Sequence, residues 1–142
     1  MKEQNFQNHS RYVPGYHFLT LSAVLALLIG SIINLVHSSK ENLYSASLIC
    51  LIAVILGLVS WYLRSFALKA QDRAIRAEES LRYFVLTGKP LPGVLRMSQI
   101  IAIRFASDEE LAALVQKALD EKLGNKAIKQ AIQNWRADHH RA

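Results

Sequence analysis

The chain has 142 residues, a net charge of +6 and one cysteine, Cys50; 51% of it is hydrophobic and 20% charged. A single cysteine excludes an internal disulfide, and two uncharged apolar runs leave too little polar sequence for a large soluble enzyme domain. The basic excess lies mostly between Arg64 and Arg96, beside the second run, which favours a membrane surface over a nucleic acid as its partner.

Residues 1–17 form an N-terminal arm with Lys2, His9 and Arg11, ending in Tyr12, Pro14-Gly15, Tyr16 and His17. Such aromatic residues favour the headgroup layer, where the ring is half buried and its polar tip is wet. The first run, Phe18–Val36, contains no Asp, Glu, Lys or Arg. About 20 helical residues, at ~1.5 Å each, cross a hydrocarbon core ~30 Å thick. The run exceeds the apolar stretch of a signal peptide and no A-x-A site follows it, so a retained span is expected. The connector His37-Ser38-Ser39-Lys40-Glu41-Asn42 only suffices to turn the chain, and Leu43–Leu63 is a second uncharged run. The expectation is an antiparallel transmembrane hairpin over residues 18–66. Arg64, Lys69, Arg73 and Arg76 follow the second run, and Lys2 and Arg11 precede the first, which puts both termini on the cytoplasmic side. The four basic residues after Leu63 are candidate ligands for lipid headgroups.

Lipid offers no hydrophobic drive for helices to associate, so close packing depends on small residues. The first run places Ser22, Ala26, Gly30 and Asn34 four apart, and the second carries Ala46, Cys50, Ala53, Gly57 and Ser60. These two stripes are expected to meet, with Asn34 bonded to Ser45, Ser47 or a nearby carbonyl of the second helix. Neither run holds an acid or a base, so a pore would need several copies lined by Asn34 and serines.

The second helix is expected to continue past the membrane as a stalk over residues 67–87, because strong helix formers follow Leu63 without Pro or Gly. Leu63, Ala67, Ala70, Ala74, Ala77, Leu81 and Phe84 alternate four and three apart, which is the seam of a left-handed helix packing. Lys69, Asp72, Arg73, Arg76, Glu79 and Arg82 flank it, and Asp72–Arg76 and Glu78–Arg82 have i,i+4 spacing in the favourable order. A positive helix face lying on anionic lipid is the competing reading; the unbroken seam favours a homo-oligomer. Thr87-Gly88-Lys89-Pro90-Leu91-Pro92-Gly93 should stop the stalk, opening a linker over residues 88–96.

Residues 97–142 read as a three-helix module. The first helix, from Ser98 to about Arg104, places Met97, Ile101 and Phe105 on one face. Ser107-Asp108-Glu109-Glu110 forms a capping box, and Leu111, Leu114, Val115, Ala118 and Leu119 follow at helical spacing. Gly124 is expected to stop that helix and Asn125 to cap the next, whose buried face is Ile128, Ala131, Ile132 and Trp135. A unit of this size has a marginal core alone, so it should dock on the stalk, a neighbouring copy or an unidentified protein partner.

The acids Asp108, Glu109 and Glu110 complement the positive end of a helix better than they suggest a metal site. His139-His140 in a charged tail, with His9 and His17, lacks the firmly held ligands and supporting groups of a zinc site. In the module, Arg104, Lys117, Lys122, Lys126, Lys129, Arg136 and Arg141 nearly balance Asp108, Glu109, Glu110, Asp120, Glu121 and Asp138, so no phosphate-binding footprint arises. No Gly-x-Ser-x-Gly, P-loop, dinucleotide loop or His-Glu-x-x-His occurs, and no cofactor is expected.

The stretches Gln7-Asn8-His9-Ser10-Arg11-Tyr12-Val13-Pro14-Gly15-Tyr16-His17, Gln71-Asp72-Arg73, Gln99 to Leu111 and Ile128 to Asp138 resemble a family of small bacterial two-span membrane proteins known only as a domain of unknown function. The resemblance implies a two-span architecture in a bacterial inner membrane and brings no activity. The N-terminal arm, rich in hydrogen-bonding groups and too short to fold alone, is expected to pack at the cytoplasmic surface. The reading of the residues is an all-α, non-enzymatic, oligomeric membrane scaffold, with a small channel or transporter accessory subunit as the alternative.

Overall fold

The computed structural model describes Asn5, Phe6, Asn8 and residues 13–138. The expectations resting on Lys2, His9, Arg11, Tyr12, His139, His140 and Arg141 lie outside the described residues. The described chain is all-helical. A π-helical turn over Gly15–Thr20 runs into α1, Leu21–His37, and α2 follows over Leu43–Thr87. Three short helices complete it: α3 Met97–Ile103, α4 Asp108–Asp120 and α5 Asn125–Ala131. The chain divides into two compact units, one over residues 11–67 and one built on Leu68 onward.

In the first unit, Gly15–His37 and the early part of α2 are each long and apolar enough to cross a membrane. Along α2, Ala46 and Ala53 are buried, and Cys50, Gly57 and Ser60 are half-buried. The first helix differs from expectation: Ser22, Ala26, Gly30 and Asn34 are exposed, whereas Ser31 is buried and Val24, Leu28 and Leu35 are half-buried. The reason is geometric. Four residues advance a helix by more than one turn of 3.6, so a four-four-four stripe drifts by ~120° across its length. Val24, Leu28, Ser31 and Leu35 alternate four and three and hold one face. Val24 rests against Gly57, where a Cβ would sit at an ordinary 3.9 Å from Val24 Cγ1, so this contact does not require glycine. Gly30 has open space around it. Asn34 finds no side-chain partner among the described residues; its carbonyl instead accepts from Ser38 Oγ at 2.6 Å.

In the second unit, α2 ends where expected. Gly88 takes φ +69 and its N–H closes on Phe84 O at 2.8 Å, a conformation that costs glycine little. The core is one cluster: Ile75 of α2, Ile100 and Ile103 of α3, Leu111 and Val115 of α4 and Ile128 of α5, with Leu95 and Phe105 from the connections before and after α3. Phe105, with no exposed surface, packs at a tilt against the Trp135 ring, centre to centre 5.1 Å, and lies under the Arg104 guanidinium at 4.7 Å. Gln99 ties the start of α3 to the residues that follow α4: its Oε1 accepts from Arg96 N and its Nε2 donates to Leu123 O, each at 2.9 Å.

Two helix ends depart from the sequence reading. The left-handed residue after α4 is Lys122 (φ 52), and Leu123 N–H reaches back to Ala118 O at 3.0 Å, the two marks of a Schellman stop. Gly124 is the N-cap of α5, and Asn125, freed from that role, donates to Ser98 O at 2.6 Å. Helix α5 stops at Ala131, so Trp135 does not lie on it. The Gln133 and Asn134 N–H groups, which would continue the helix, instead donate to the two carboxylate oxygens of Glu110, each at 3.1 Å. The segment then pairs with the α3–α4 connection: Ser107 N to Asn134 O at 3.0 Å and Arg136 N to Phe105 O at 2.7 Å.

Glu110 therefore has two tasks. Its Oε1 also accepts the Ser107 N–H at 3.3 Å, its share of the predicted capping box. Replacing Glu110 with Ala is expected to cost about 1–3 kcal/mol, because three backbone donors lose a charged acceptor. Thermal unfolding of the detergent-solubilised Trp61→Phe chain, followed by Trp135 fluorescence, measures it; an unchanged midpoint would count against the clasp.

Candidate functional site

The densest charge cluster among the described residues lies where α2 meets the start of α4. Glu78, Glu79, Arg82, Asp108 and Arg136 line a small open cleft. Helical spacing supplies its first half. Ile75, Glu79 and Arg82 repeat four and three along α2 and share a face. Ile75 enters the core, while Glu79 and Arg82 sit at its rim.

Arg82 is the hub. Its Nε donates to Asp108 Oδ1 at 2.6 Å, NH1 to Glu79 Oε2 at 3.1 Å, and NH2 to Ala106 O at 2.7 Å. The Arg82 and Glu79 side chains retain 11% and 7% of their exposure, while that of Asp108 retains 60%. Burial pushes the Glu79 carboxyl up from its usual range, and the Glu78 charge adds to this; Arg82 and Arg136 pull it back without cancelling the rise. The predicted i,i+4 pairs do not form. Arg82 turns from Glu78 to Glu79 and Asp108, because a buried carboxylate and a fixed carbonyl hold a guanidinium fork better than an exposed glutamate does. Asp72 and Arg76 make no ion pair among the described residues. A second buried guanidinium, Arg104, pairs with Asp138 at 3.1 Å and holds the segment after α5 to the module.

Chemically this cluster is a joint. Its charged groups face one another and a backbone carbonyl, which fixes α2 against the α3–α4 connection. Among the described residues no group of three metal-ligating side chains occurs.

The residues singled out from the sequence lie elsewhere. Ala67, Ala70, Ala74 and Ala77 are exposed, as are Leu63 at 64%, Leu81 at 65% and Phe84 at 53%. At 3.6 residues per turn this seam lies about 135° around α2 from Ile75, Glu79 and Arg82. Lys69, Arg73 and Arg76 form an exposed stripe on another side of α2. Arg64 does not belong to it: it is half-buried, with its guanidinium 5.8 Å from the centre of the Tyr16 ring. Tyr16, read as a headgroup anchor, donates its hydroxyl to Ser60 O at 2.8 Å. The sequence reading missed Asp108, Ala106 and Arg136 as partners of the stalk. A signal for them existed in Ile75, which lies off the seam and begins a second four-three stripe.

A protein-family model described as a family of unknown function (DUF6526) matches residues 1–142. No curated protein and no solved structure matches the chain.

Proposed function

The chain belongs to that family of unknown function, DUF6526, and from this premise we propose that it is a non-enzymatic, self-associating membrane scaffold. In this reading α1 and the first part of α2 cross the membrane as an antiparallel hairpin with both termini cytoplasmic. Contacts of opposite sense support the hairpin: Tyr16 meets Ser60, and Val24 meets Gly57. The 45 residues of α2 correspond to about 67 Å of helix, more than twice the ~30 Å hydrocarbon core. The excess is the stalk, and the three-helix module is clamped to it. Lys69 and Arg76 of the basic stripe suit the anionic headgroups of a cytoplasmic leaflet, such as that of a bacterial inner membrane.

One observation carries the reading: the module covers the Ile75–Glu79–Arg82 face and leaves the seam from Ala70 to Phe84 bare. A helix that had evolved only to hold the module would need no apolar residues there. A cysteine at Ala74, in a Cys50→Ala chain, is expected to form a disulfide-linked dimer under mild oxidation in native membranes. A chain that stays monomeric would overturn self-association. The alternative, a channel or transporter accessory subunit, predicts unitary conductance from the purified chain in lipid vesicles; the scaffold predicts none above lipid alone.

A further inference from the structure

We infer that the occupant of the bare face of α2 is a second copy of this chain, parallel and in register, with Arg73 of each copy paired to Glu78 of the other. This rests on the self-association proposed above and adds its direction, its register and the charges that set them. Within Leu68–Thr87 the bare face is Ala70, Ala74, Ala77, Leu81 and Phe84, the last two 65% and 53% exposed. At 3.6 residues per turn, Arg73 lies about 70° to one side of this line and Glu78 about 70° to the other. Both are exposed, and neither makes an ion pair among the described residues.

Two parallel helices packed through such a seam bring the residue on one flank against the residue five positions later on the opposite flank of the partner. Here that rule pairs Phe66 with Gln71, Arg73 with Glu78, and Ser80 with Val85. The twofold axis makes the Arg73–Glu78 pair twice. A slip of one heptad sets Arg73 against Gln71 or Val85 and loses both pairs. An antiparallel arrangement sets like flanks together and gives Arg73 only Phe66, Ser80 or another Arg73. The alanines bring the backbones close, Leu81 and Phe84 supply apolar area, and the docked module, about 135° around the helix, leaves the approach clear. Insertion of both copies in one orientation makes the parallel arrangement the accessible one.

The test uses the full chain in lipid vesicles with Cys50→Ala. Single cysteines in place of Ala70 and Ala77 are both expected to cross-link to themselves, which only a parallel, in-register pair allows at two positions; a cysteine in place of Arg76 should not. Arg73→Glu and Glu78→Arg are each expected to lower dimer yield at least threefold, since two opposite-charge contacts become two like-charge ones. Mixing the two variants, separately tagged, should restore yield to within about twofold, because the mixed pair regains both contacts. Mixing also guards against a local effect of Glu78→Arg on the neighbouring cleft. Cross-linking without any response to charge reversal or mixing would overturn the charge pair and register while leaving self-association standing. Absence of cross-links at Ala70 and Ala77 would overturn both.

Discussion

Arg82→Ala is expected to destabilise the second unit by about 3–5 kcal/mol, the range for breaking a buried ion pair and leaving its partner charged. The loss exceeds that of one surface pair because three acceptors depend on this guanidinium: Glu79 Oε2, Asp108 Oδ1 and Ala106 O. Asp108 contributes least, since it is mostly exposed and screened by solvent. Glu79→Gln should behave differently. It keeps an acceptor for Arg82 and removes a charge that the site holds at a cost, so its effect should stay within about 1 kcal/mol. Limited proteolysis of the 88–96 connection and thermal unfolding would separate the two variants. Equal losses would mean that Glu79 is well stabilised as an anion.

The same carboxyl sets a pH dependence. Its pKa is raised in the folded chain above the ordinary 4.5, so the folded state binds the proton more readily than the unfolded state does. The Glu79 contribution is therefore fully present below pH 4.5 and fades as pH rises through the raised value. The groups facing it are Arg82 and Glu78 on α2, Asp108 at the start of α4, and Arg136 beyond α5. Glu79→Gln should remove this share of the pH slope while leaving the slopes of the exposed acids in place.

Phe105→Ala is the second large expectation, at about 3–5 kcal/mol. The ring is fully buried, so its removal loses transfer free energy and leaves a cavity that a small module closes only in part. Three further contacts go with it: the tilted Trp135 ring at 5.1 Å, the Arg104 guanidinium at 4.7 Å and the Lys129 ammonium 5.5 Å from the ring centre. A change of this size rivals the whole stability of a small domain, so the expected outcome is an unfolded module on an intact α2. In a Trp61→Phe background, Trp135 fluorescence should shift toward the solvent-exposed value while the helical signal of α1 and α2 persists. A native Trp135 spectrum would show that the core repacks around the loss.

Local chemistry made part of this fold legible in the sequence. Strong helix formers carried α2 unbroken to Thr87, and Gly88 with the prolines stopped it. Ser107 and Glu110 marked the start of α4 because a capping box lies within four residues. What escaped depended on distant partners. The end of α5 is set by Glu110, more than twenty residues upstream, which takes the donors that a helix at Gln133 and Asn134 would have used. Neither the Arg82 joint nor the covered face of α1 can be read from composition. In α1 the small residues pointed to Ser22 and Gly30, whereas periodicity favoured Val24, Leu28 and Ser31. Spacing was the better guide than size.

The clasp of residues 132–136 onto Phe105, Ser107 and Glu110 also orders events during synthesis. Every group it seals is made before it, so the module cannot close until these late residues have left the ribosome. Until then Glu110 lacks two of its donors and the Phe105 ring lacks its Trp135 cover. A nonsense codon before Gln133 would accordingly yield a chain with every helix encoded and its core left open, a substrate for quality-control proteases rather than a shortened working protein.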